Sequence, residues 1–143
     1  MTITPSPAAR ALSAAALALI TVALWWAWLG HDTTYYFDQQ LQTHQGPYRA
    51  WQVAGCALTL VAVAVVAVWR LPLWVVVIVL PAALTLAWSW RAAEDSSGMW
   101  IVGAVMVYLG STAAAALVGG LTAFVRRELR RDHPRVSAPS ATP

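Results

Sequence analysis

The stretch AWQVAGCALTLVAVAVVAVW, Ala50–Trp69, is followed after only Arg70 and Leu71 by PLWVVVIVLPAALTLAWSW, Pro72–Trp90. Each run has about the twenty apolar residues that a helix needs to cross a hydrocarbon layer roughly 30 Å thick. Working outward, Ala11–Leu29 reads ALSAAALALITVALWWAWL without an ionisable side chain, and Met99–Val125 is a still longer apolar run. Four such helices leave too little polar chain to cover a water-soluble core, so membrane spans are expected. The composition agrees: 59% of the 143 residues are hydrophobic and 10% charged, against about a quarter charged in soluble domains. The expected fold is an all-α membrane protein of four transmembrane helices. Its domain covers 11–131, between a tail at 1–10 and a disordered tail at 132–143.

The first span follows Arg10 as a signal peptide would. However, Trp25-Trp26-Ala27-Trp28-Leu29-Gly30 offers no small-residue cleavage pair, which predicts an uncleaved anchor. Orientation is read from arginine, because the sequence has no lysine and cytoplasmic loops hold the excess of basic residues. Arg10, Arg70, Arg126, Arg127, Arg130, Arg131 and Arg135 fall on one side. Arg49 and Arg91 fall on the other, with Asp32, Asp38, Glu94 and Asp95. Both termini are therefore expected in the cytoplasm. Abundant Ala and Val, arginine without lysine and the absence of Asn point to a GC-rich bacterial genome, hence to a bacterial plasma membrane.

Nine tryptophans are present, and Trp25, Trp26, Trp28, Trp51, Trp88, Trp90 and Trp100 fall at the outer ends of spans, against Trp69 and Trp74 at the inner boundary. Interfacial belts place Trp at both ends, so this bias asks for more. Packing of the outer ends on one another explains it. An aromatic surface for a lipid, a glycan or a partner protein is the alternative.

The link Arg70-Leu71 predicts that the second and third helices are antiparallel neighbours, with Pro72 in the first turn of the third. Pro81, in mid-span, predicts a kink. In the last span Ser111, Ala115, Gly119 and Ala123 recur every four residues, with Gly110–Ala114 and Ala116–Gly120 repeating the spacing beside them. Small side chains let helices approach closely in lipid. Gly110, Ser111, Ala115, Gly119 and Ala123 are thus the expected packing face, within the chain or toward another subunit. Glu94-Asp95-Ser96-Ser97-Gly98 reads as the start of that helix. A Glu128–Arg131 pair at i,i+3 would extend it through Arg131.

Residues 31–49 are the one sizeable polar segment outside the membrane. Thr33 to Phe37 favours a strand and Leu41 to His44 a return, which predicts a small β-hairpin capping the Trp-rich ends. His31, Asp32, Tyr35, Tyr36, Asp38 and His44 are its candidate contacts. Their spacing fits no zinc pattern, and no nucleophile motif accompanies them, so a solvated cap is the leading reading. No metal or other cofactor is expected.

No Asp, Glu, Lys, Arg or His lies inside the four spans. That disfavours carboxylate-driven multidrug exchange, haem ligation by intramembrane His and voltage sensing by charged helices. The single cysteine, Cys56, disfavours dithiol oxidation and reads as a small hydrophobe in the packing. Arg126, Arg127, Arg130 and Arg131 are placed to contact anionic lipid; nucleic-acid binding is not expected from so short a patch. The leading expectation is a non-enzymatic accessory or assembly partner, in contact with the bilayer and with a homo-oligomer or a larger membrane protein. The alternatives are a small oligomeric transporter or channel shaped by Pro81 and Gly110, and an envelope-facing binding cap on the hairpin.

Overall fold

The computed structural model describes residues 6–31, 36–38, 43–45, 48–94 and 98–131. Four helices carry the fold: α1 (Pro7–Trp25), α2 (Ala50–Arg70), α3 (Leu73–Ala92) and α4 (Trp100–Arg131). Each is long and apolar enough to cross a membrane, α1 being prolonged by a π-helical turn at Trp26–Gly30. A helix suits that solvent because every backbone N–H and C=O finds its partner inside the segment.

Several boundaries differ from the sequence reading. Helix α1 begins at Pro7 rather than near Ala11, because Ser6 is its N-cap: the Ser6 hydroxyl accepts from Ala9 N–H at 3.2 Å. Proline at the first helical position loses no hydrogen bond. Pro72 is the N-cap of α3, which continues past Trp90 to Ala92 and runs without interruption through the fully buried Pro81. Glu94 does not open α4. It lies just past the end of α3, where its carboxylate sits 3.9 Å from Arg91. Gly98, at φ 71°, precedes the start of α4 at Trp100. Gln52, in the first turn of α2, accepts through its Oε1 from Arg49 N–H at 2.8 Å. Arginine has no acceptor, so only this half of a capping box exists.

Between α1 and α2, β1 (Tyr36–Asp38) pairs antiparallel with β2 (Thr43–Gln45), in the register Tyr36↔Gln45, Phe37↔His44, Asp38↔Thr43. This short backbone pairing is less than the hairpin cap expected over the whole loop. Residues 32–35, 39–42 and 46–47 of that loop lie outside the described residues.

The helices do not pack in chain order. Helix α3 packs mainly on α4 and α1, and α2 packs more on α4 and on α1 than on α3. The second and third helices do touch, as their short link predicts, but neither has the other as its main partner. Leu71 and Pro72 are both extended (ψ 152° and 143°). Extended residues advance the chain by about 3.3 Å each, so the link keeps the start of α3 close to the end of α2, and the two helices meet less along their length than α3 meets α4 and α1.

The core is assembled from Leu17 of α1, Ala64, Ala67 and Val68 of α2, Leu71 of the link, and Val76 and Leu80 of α3. Val118 and Ala123 of α4 pack against it. In lipid, burying an apolar side chain against another gains little over burying it against acyl chains, so close packing decides which faces meet. Gly119 shows this directly: a Cβ there would stand 2.5 Å from Leu73 Cδ1 and 3.3 Å from Val68 Cγ2. Ala115 and Gly119 are the buried residues of α4. Gly110 and Gly120, by contrast, meet nothing within 4 Å at that position. The spacing of small residues thus resolves into an inward ridge, occupied within the chain, and open positions beside it.

Gly119→Leu should therefore destabilise the bundle by about 1–3 kcal/mol, the usual cost of overpacking. Gly120→Leu should leave stability unchanged or slightly raised. Unfolding in mixed detergent micelles, followed by circular dichroism, compares the two midpoints; equal losses would refute the assignment of the inward face.

Candidate functional site

The Trp-rich end is built by two close approaches. A Cβ on Gly55 of α2 would lie 2.6 Å from the Trp28 ring, and one on Gly103 of α4 would lie 2.5 Å from Trp88. Each glycine therefore makes a seat for an indole of a neighbouring helix. Trp28 also meets Trp51 edge-on, with ring centroids 6.2 Å apart and planes at 73°, a favoured aromatic geometry. Trp25 is buried, while Trp26, Trp51 and Trp90 remain exposed. Part of the tryptophan bias is thus packing and part is open surface. The π-helical turn helps divide them. It ends at Gly30, where a Cβ would crowd Trp26 Cδ1 at 2.7 Å.

Between α1 and α3 at this end lies a groove of about 610 Å³, lined by Leu19, Val22, Trp25, Trp26, Trp90 and Arg91 among others. Two buried polar atoms, Trp25 Nε1 and Thr85 Oγ1, have no hydrogen-bond partner among the described residues. Burial without a partner costs about 1–3 kcal/mol each. Four other buried or half-buried hydroxyls of the spans are satisfied on their own helix. Thr21 donates to Leu17 O, Thr59 to Gly55 O, Ser111 to Val107 O and Thr122 to Val118 O, one turn back in every case. This back-bonding is how an isolated hydroxyl is accommodated in lipid. Cys56 is buried in α2.

The loop residues singled out by sequence are not gathered into one place by what is described. His31 is exposed, with Nδ1 3.4 Å from Trp26 O. Tyr36, Asp38 and His44 belong to the strand pair, whose register sets His44 opposite Phe37 and Asp38 opposite Thr43. Asp32 and Tyr35 lie outside the described residues. Among the described residues, no group of three His, Cys, Asp or Glu side chains converges as a metal would require.

At the opposite end the four arginines of α4 separate into different environments. Arg126 donates from Nη1 to Val68 O at 3.2 Å, and its guanidinium lies 5.8 Å from the centre of the Trp69 ring. Arg131 is paired with Glu128 at 3.0 Å. Arg127 and Arg130 are exposed. Trp69, Arg126, Leu129 and Arg130 enclose a groove of about 400 Å³. Deeper in the bundle, an apolar crevice of about 190 Å³ is bordered by α2, α3 and α4, with Leu60, Ala64, Leu80, Ser111, Ala115 and Val118 in its wall.

The sequence reading placed the arginines and the small residues but missed both grooves and the seats at Gly55 and Gly103. The signal available was a glycine in each of two spans whose neighbours carry tryptophan at the same depth. The side chains that converge here offer cations, indole rings and apolar walls. Comparison with family models, curated proteins and solved structures returns no match for this chain.

Proposed function

We propose that this chain is a non-enzymatic accessory or assembly subunit of a bacterial plasma membrane, joining itself or a larger membrane protein through α4. The observation that carries this reading is the outward side of that helix. Gly110 has open space where a Cβ would stand, beside the exposed Met106, Leu109, Leu117 and Leu121. A glycine among long apolar side chains leaves a notch, and a second helix gains close packing by filling it. Helix α4 also buries the smallest share of its apolar length of the four.

In this reading both termini face the cytoplasm, as the arginine distribution requires, and the β1–β2 pair sits at the envelope face above the Trp-rich ends. A tag fused after Pro143 should be reached by an impermeant probe only once cells are opened. Labelling of the tag in intact cells would contradict this orientation.

The assembly is tested on protein extracted from its native membrane in mild detergent, with its mass read by light scattering. The expected species is larger than one 15.4 kDa chain. Gly110→Leu should reduce it to a single chain with an unchanged helical spectrum. A wild-type protein that already runs as one chain would overturn the proposal.

A further inference from the structure

We infer that the groove between Trp69 at the end of α2 and Arg126, Leu129 and Arg130 of α4 is a discrete seat for the phosphate of an anionic phospholipid. The inference does not depend on the assembly proposed above. It differs from a diffuse attraction of all the α4 arginines to a charged surface, because the structure gives those arginines unequal roles.

Arg126 is held in place. Its Nη1 donates to the Val68 carbonyl, left free at the end of α2, and its plane lies over Trp69. These contacts use one N–H and one face of a group with five N–H donors, so the remaining donors are preorganised. Arg130 follows one turn later on the same side of α4, and both line the groove. No described carboxylate pairs with either, since Glu128 is taken by Arg131. Two guanidiniums one turn apart suit phosphate oxygens, which arginine binds in a forked geometry.

The rest of the lining selects a lipid over a soluble anion. Trp69 and Leu129 are exposed apolar surface beside the two arginines, which suits an acyl chain next to its headgroup, and basic pockets between transmembrane helices take anionic headgroups in this way. Arg127 and Arg131 do not line the groove, and Arg131 is paired with Glu128, so neither belongs to the seat.

The test uses the full chain in detergent micelles, with phosphatidylglycerol or phosphatidylcholine titrated in and bound lipid counted by native mass spectrometry. Wild type is expected to prefer phosphatidylglycerol by roughly tenfold or more, from about two cation contacts. Arg126→Gln/Arg130→Gln should abolish the preference. Arg10→Gln/Arg127→Gln, which removes the same charge from the same membrane face, should keep it within about twofold. Arg130→Gln alone, at an exposed residue with no described contact to lose, should weaken it about fivefold and guards against misfolding of the double variant. Equal losses in the two double variants would show diffuse attraction and overturn the seat. Displacement of the lipid by millimolar glycerol phosphate would overturn the choice of a lipid over a soluble anion.

Discussion

Close approach between helices is the constraint on which this structure depends. In water a leucine face gains free energy by meeting any other apolar face. In hydrocarbon it is already solvated, and helices associate only where their surfaces fit more tightly than lipid can. Here the fit comes from glycine opposite a large side chain: Gly55 under Trp28, Gly103 under Trp88, and Gly119 under Leu73 and Val68. These three contacts lie at both ends of the bundle. They tie α2 to the end of α1, and α4 to both ends of α3.

The same solvent governs the polar groups. A hydroxyl in a span has no water to fall back on, and Thr21, Thr59, Ser111 and Thr122 turn back to the carbonyl one turn earlier. Such groups are structural, spent within their own helix. Among the described residues of the helices, the charged side chains stand at or near the helix ends. Arg91 rims the groove beside Trp25 and Trp90, and Arg126 and Arg130 rim the groove beside Trp69.

Much of the architecture was legible because span length and apolar content report on the solvent without any knowledge of neighbours. The four helices, the extension of α4 through Arg131 and the small-residue ridge follow from that and from i,i+4 spacing. What spacing does not encode is which helix lies beside which. The two-residue link keeps α2 and α3 in touch, yet it does not say that α3 packs mainly on α4 and α1. Glu94 was assigned to the wrong helix because an acid between two helices suits the start of one, while its partner Arg91 lies at the end of the other. Ser6 as a cap was missed because the apolar run, not the capping residue, had been taken as the boundary. The grooves were illegible for a plainer reason: each joins residues from helices far apart in sequence, and no local pattern marks such a meeting.

The central claim is that lipid solvates most of this chain's exposed surface, and site-specific thiol labelling measures that directly. Leu58 and Leu86 are 70% and 71% exposed in the isolated fold, yet each lies well inside its helix, where acyl chains should cover it. In a Cys56→Ala background, Leu58→Cys and Leu86→Cys in opened membrane vesicles should resist a charged maleimide and react only after denaturation. Arg131→Cys, at the end of α4, should react at once. Rapid labelling of Leu58→Cys and Leu86→Cys in intact bilayers would contradict the account.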